Sequence, residues 1–187
     1  MRLFEFVSTK TLYVSRELLN TDDITLWAAS QGLKTMLFPN DLHVTVCYSK
    51  QPVTWDIEKQ NDVLVLPGLD ELQEDEQKTF VREMEMFGKD KNILVLRFSS
   101  EELLERNQEF RDHGCSYDFP EYKSHLTISY NGADIDISDI KPYTGRLEFG
   151  PEIYKEINTN WDGTKREFDL TDAENVPRQS LIDDDPK

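Results

Sequence analysis

Leu42-His43-Val44-Thr45-Val46-Cys47-Tyr48 and His125-Leu126-Thr127-Ile128-Ser129-Tyr130 share one order of residue types: a histidine, a threonine two positions on and a tyrosine five positions on. Working outward, the same features precede each passage, which marks an internal repeat. In the first copy Thr11 to Ser15 reads as a strand. Asn20 or Thr21 can cap a helix that carries Ile24, Trp27 and Ala28 on one face and stops at Gly32, and Pro39 follows. In the second copy Ile93 to Phe98 reads as a strand. Ser99 with Glu102 forms a capping box for a helix carrying Leu103, Leu104, Asn107 and Phe110, which stops at Gly114, and Pro120 follows. Gly32 to His43 and Gly114 to His125 are both eleven residues.

Side chains alternate across a strand, so His43, Thr45 and Cys47 are expected on one face and Leu42, Val44, Val46 and Tyr48 on the other. The second strand sorts in the same way, with His125, Thr127 and Ser129 opposite Leu126, Ile128 and Tyr130. A strand between a helix-covered core and a water-filled cleft shows this pattern. Between the copies, Asp62 to Leu66 reads as a strand, and Thr79 to Phe87 pairs with Ile93 to Phe98 across a Gly88 to Asn92 turn. Gly145 to Phe149 and Ile153 to Ile157 read as two further strands. The expected fold class is α+β, with two pseudo-symmetric lobes, each an antiparallel sheet plus a helix, around a central cleft. Residues 1–165 form that single bilobal domain, and 166–187 read as an acidic, mostly disordered tail.

A chain of 187 residues suits one core. Its net charge of −16 would repel long nucleic acid unless the basic residues converge on one local pocket, and it does not exclude small anionic ligands. The acids from Glu71 to Glu76 read as a solvated loop. No stretch reaches the roughly 20 apolar residues that span a bilayer, and Met1 to Lys10 lacks a secretory pattern, so a cytoplasmic protein with no membrane partner is expected. Cys47 and Cys115 lack C-x-x-C spacing and read as buried, reduced thiols. Cys47 would sit about 13 Å along the strand from His43, too far to act as its nucleophile.

The chemistry lies in the two His-Thr pairs. One histidine can take the proton from an attacking hydroxyl while the other protonates the leaving oxygen of a phosphodiester. Thr45 and Thr127, on the same face as their histidines, can donate to non-bridging phosphate oxygens. The candidate catalytic residues are therefore His43, Thr45, His125 and Thr127. No cofactor is called for. Three histidines without H-x-H or H-x-x-x-H spacing disfavour a metal site, and His113 at a helix end is explained by the helix dipole.

The H-V-T-V and H-L-T-I motifs on a duplicated strand-helix-strand unit resemble the 2H phosphoesterase superfamily. More narrowly, the chain is similar to the anti-CBASS phosphodiesterases of bacteriophages. That likeness is carried by Thr11-Leu12-Tyr13-Val14-Ser15-Arg16, by Asp41-Leu42-His43-Val44-Thr45 with Ser49-Lys50-Gln51-Pro52-Val53, by Tyr117-Asp118-Phe119-Pro120-Glu121-Tyr122 and by Phe149-Gly150-Pro151-Glu152. The resemblance implies the bilobal 2H fold and hydrolysis of the 3'-5' bonds of cyclic di- or trinucleotide immune messengers, without metal or cofactor, in the host bacterial cytoplasm. It implies attack by a ribose 2'-hydroxyl to give a cyclic phosphate that water opens, and the motif does not say which histidine is base first. It further implies base recognition by stacking on Tyr13 and Trp161, with Glu156 as an acceptor for a base edge, and no obligatory protein partner. Two rivals share these residues: a phosphodiesterase for RNA ends or linear 2',3'-cyclic phosphates, and a sponge that binds a cyclic nucleotide without cutting it.

Overall fold

The structure is a computed structural model that describes residues 8–161 and 166–178. Its strands are β1 (Lys10–Leu18), β2 (Thr35–Leu37), β3 (His43–Val53), β4 (Leu64–Leu66), β5 (Arg82–Phe87), β6 (Ile93–Phe98), β7 (His125–Ser129), β8 (Leu147–Lys155) and β9 (Glu167–Asp169). The helices are α1 (Thr21–Ser30), the four-residue α2 (Glu74–Gln77) and α3 (Glu101–Asp112). Among the described residues, seven strands join in one antiparallel sheet in the order β4-β8-β1-β3-β7-β6-β5. The duplication is visible in that order. In one half β1 pairs with β3, in the other β6 pairs with β7, and the halves meet where Val44 pairs with Leu126.

Burial explains why each strand forms where it does. Leu12, Val14 and Leu18 of β1, Val44 and Val46 of β3, Leu94 and Leu96 of β6, and Leu126 and Ile128 of β7 enter one hydrophobic core with Ile24, Trp27, Leu103 and Phe110 of the helices. Gly32 and Gly114 follow the two helices with φ of +79° and +97°, the left-handed conformation that ends a helix and that glycine adopts without a Cβ penalty. Their matching places set the equal distance to His43 and His125.

Several details differ from the sequence reading. Ser100, not Ser99, caps α3 by accepting from Leu103 N at 3.2 Å, while Ser99 Oγ accepts from Val81 N and donates to Thr79 O just before β5. On α3, Arg106 takes the buried place expected of Leu104, which is 50% exposed. Asn20 precedes α1 without capping it; its side chain instead holds Arg146 O and Glu148 N, fastening the helix start to β8. The two strands expected around Gly150-Pro151 are one, β8. Proline cannot donate to a ladder, and Pro151 falls at the register shift where β8 passes from Leu18 to Arg16 of β1. In the Glu71 to Glu76 stretch, Glu71 pairs with Arg146 and accepts from Gly68 N, so it is not merely solvated.

Part of the segment expected to be a tail carries structure. β9 pairs with β2, Leu170 is buried, and Phe168 packs on Phe38 with ring centroids 5.5 Å apart, giving this segment apolar area enough to order it. Residues 179–187 of that expectation lie outside the described residues.

Candidate active site

The two motif strands run antiparallel through the centre of the sheet. Because Val44 faces Leu126 across them, His43 and His125 lie diagonal to each other on the face of the strand pair opposite Val44 and Leu126, each beside the other motif's threonine. All four side chains line one cleft of about 510 Å³. Beyond Val44 and Leu126 the strands part, and the carbonyls of Thr45 and Val46 are taken by side chains: Tyr122 Oη donates to Thr45 O at 2.6 Å, and buried Asn107 Nδ2 donates to Val46 O at 2.8 Å. These two residues hold the first motif open, a role the sequence did not reveal.

Each motif strand carries a β-bulge at the same place. On β3, Cys47 pairs with Val14 and Thr45 with Ser15, leaving Val46 as the extra residue. On β7, Ser129 pairs with Leu94 and Thr127 with Val95, leaving Ile128. An extra residue reverses the alternation after it. Cys47 and Ser129, expected beside the histidines, are therefore buried on the core side, and Tyr48 and Tyr130, expected in the core, line the cleft. Cys47 and Cys115 are buried free thiols, as expected, and a hydrogen bond between them together with burial pushes Cys47 up, so it is no nucleophile.

Both imidazoles are pinned in one way. His43 Nδ1 donates to Asp41 O at 2.7 Å and His125 Nδ1 donates to Lys123 O at 2.8 Å, in each case the carbonyl two residues back. A carbonyl only accepts, so the tautomer follows from the partner, and Nε2 is the atom left to exchange protons. His43 Nε2 lies 2.7 Å from Tyr13 Oη, which is also 3.3 Å from Thr45 Oγ1. His125 packs edge-on against Phe87, with centroids 4.8 Å apart. Burial lowers the His125 pKa below 6.5; the carbonyl of Lys123 opposes this, while the nearby His43 and Arg97 reinforce it.

That shift has a testable sign. A histidine that resists protonation when folded binds more protons when unfolded, so its contribution is complete above pH 6.5 and is lost as pH falls towards the lowered folded value. The melting temperature is thus expected to fall between pH 7.5 and 5.5 more steeply in the unsubstituted protein than in His125→Asn. Equal slopes in the two proteins would remove His125 from the acid sensitivity.

The other residues implied by the resemblance also reach this cleft. Tyr13, Glu156 and Trp161 all line it. Tyr13 does so with its hydroxyl on His43 and its ring edge-on to Tyr48, centroids 5.5 Å apart, while Trp161 meets Tyr130 at 6.1 Å. Glu17, Asp41 and Lys155 are further charged residues of the lining that sequence reasoning did not single out. Among the described residues no three His, Cys, Asp or Glu side chains gather as a metal site, and no helix is long and apolar enough to cross a membrane.

A duplicated strand-helix-strand unit with a His-x-Thr on each central strand defines the fold of the 2H phosphoesterases, and comparison with solved structures agrees. A structure described as a phosphoesterase superposes with a TM-score of 0.53 at 12% identity, covering 87% of this chain and 95% of the other. E. coli LigT complexed with 3'-AMP superposes with a TM-score of 0.51 at 13% identity and the same coverage of 87% and 95%. The family model for "Anti-CBASS protein Acb1" matches residues 10–164, and the chain belongs to that family. Its relatives include anti-CBASS proteins Acb1 of Sphingomonas paeninsulae, 41% identical over 163 residues, and of Vibrio phage KVP40, 28% identical over 138 residues. The first alignment covers 83% of this chain and 24% of the relative, the second 70% and 80%. The chain thus spans about a quarter of the length of the Sphingomonas relative, and likewise 23% of one from Caulobacter sp. (strain RHG1), at 39% identity.

Proposed function

We propose that this chain is a metal-independent phosphodiesterase that cuts the 3'-5' bonds of cyclic di- or trinucleotide messengers and so defeats CBASS defence. The observation that carries this reading is the pair of histidines, each with Nδ1 tied to a carbonyl and each beside a threonine in the same cleft. His125, kept neutral at pH 7 by its lowered pKa, takes the proton of a ribose 2'-hydroxyl as that oxygen attacks the adjacent phosphorus. His43, protonated at Nε2, gives that proton to the departing 5'-oxygen, which takes the place of the Tyr13 hydroxyl on Nε2 while the Nδ1 bond to Asp41 O holds the ring. Thr45 and Thr127 donate to the non-bridging oxygens, where charge builds up. The product is a 2',3'-cyclic phosphate, which water opens with the two histidine roles exchanged.

The lining supports a set of base contacts. Tyr13 and Trp161 offer ring faces to bases, each such stack being worth about 1–3 kcal/mol. Glu156 accepts from an amino group on a base edge, and Glu17 and Asp41 share that preference while repelling phosphate, so anionic groups belong near Lys155 and the histidines. The protein acts in the host cytoplasm on a small soluble ligand.

Purified protein in EDTA is expected to convert a panel of cyclic di- and trinucleotides to linear products, followed by chromatography and mass. Opening only a linear 2',3'-cyclic phosphate would replace this reading with an RNA-end phosphodiesterase. Tight binding without turnover would make the chain a sponge.

A further inference from the structure

Glu167 lies beyond the residues matched by the family model, on the three-residue strand β9. Its carboxylate gathers four donors. Oε1 accepts from Ser129 Oγ at 2.6 Å and Thr35 Oγ1 at 3.1 Å, and Oε2 accepts from Tyr130 N at 3.1 Å and Asn131 Nδ2 at 2.9 Å. Ser129, Tyr130 and Asn131 are consecutive and close the strand that opens with His125 and Thr127. Water could satisfy a carboxylate without ordering four groups around it, so the arrangement specifies geometry.

The residue so placed is Tyr130. Glu167 holds its amide, while its ring lines the cleft and meets Trp161. The chain passes Trp161 on the ring side of Tyr130 and, six residues later, presents Glu167 to the amide side. Without that carboxylate, Ser129 Oγ would lose its acceptor in a residue only 1% exposed, and the end of β7 would lose its tie to β9.

Resting on the proposed function, we infer that Glu167 is a positioning residue for substrate: it fixes Tyr130 against Trp161 so that the two rings form the wall receiving a nucleobase. Glu167 bonds to neither histidine, and its proposed role needs no contact with the phosphate. Its removal therefore acts on binding before it acts on chemistry. Glutamine can stand in for it, because its oxygen can accept from Tyr130 N and Asn131 while its amide donates to the hydroxyls of Ser129 and Thr35, which can also accept.

The test compares Glu167→Ala, Glu167→Gln and, as a control on the same segment, exposed Glu174→Gln, with cyclic di-AMP as the probe. For Glu167→Ala, KM is expected to rise about tenfold with a much smaller fall in kcat, as for a lost binding contact, and Glu167→Gln is expected to recover most of that loss. Hydrogen exchange at the Tyr130 amide should be faster in Glu167→Ala and close to normal in Glu167→Gln. Equal losses in the alanine and glutamine variants would mean that charge, not geometry, matters and would overturn the inference, as would an unchanged Tyr130 exchange rate. If the unsubstituted protein binds but does not cut the probe, the enzymatic reading fails alone, and the inference is judged by the same pattern in Kd.

Discussion

Alanine at His43 or at His125 is expected to lower kcat on a cyclic dinucleotide by about 10²–10⁴-fold, the range that a positioned acid or base contributes. The melt should stay close to that of the unsubstituted protein. Each imidazole bonds to a carbonyl two residues back and borders the water-filled cleft, so its removal opens no sealed cavity and leaves the β3 and β7 backbones paired as before. The rate is read at saturating substrate by product chromatography, so that a change in binding cannot mimic a change in chemistry. The double variant should fall about as far as the worse single one, because an acid and a base that serve one transition state act as a unit. A single variant that keeps more than a third of the rate would take that histidine out of the mechanism.

That the four residues of the proposed mechanism meet in one cleft was legible because duplication makes a weak signal strong. One H-x-T on a half-buried strand says little, whereas two at equal distance from a helix-ending glycine say that the strands are equivalent and share a cleft. Beyond the second threonine the reading failed, and for one physical reason. Period-two alternation assumes one residue per pleat, and the bulges at Val46 and Ile128 insert an extra one. Tyr48 and Tyr130 thereby change faces with Cys47 and Ser129. The trace of this in the sequence was the tyrosine five residues after each histidine, whose recurrence is unexplained by a core position and explained by a cleft. Asn107 and Glu167 were illegible for a different reason. Each satisfies backbone groups far away in sequence, Val46 O and Tyr130 N, and no local pattern announces such a partner.

Breaking the ion pair beneath β8 is expected to give the largest loss of stability. Arg106 of α3 grips Glu152 of β8 through both Nε and Nη2, at 3.0 and 2.7 Å, with side chains 6% and 0% exposed. Glu152 also accepts from Gln60 N, and Arg106 also donates to Glu58 O and Glu109, so the pair fastens helix, strand and the chain before β4 at one point. Glu152→Ala leaves the buried guanidinium with only the half-exposed Glu109 as counter-charge and should cost about 3–5 kcal/mol in denaturant unfolding. The double variant Arg106→Met with Glu152→Met should recover at least half of that loss, because two apolar chains of similar length need no counter-charge, although Gln60 N and Glu58 O lose their partners. No recovery would mean that these backbone ties, rather than the charge pair, hold the region together. The outcome bears on the cleft, because Ile153 and Lys155 line it from the strand that Glu152 anchors. Anchoring one side of β8 in the core lets the other present side chains to substrate from a fixed backbone.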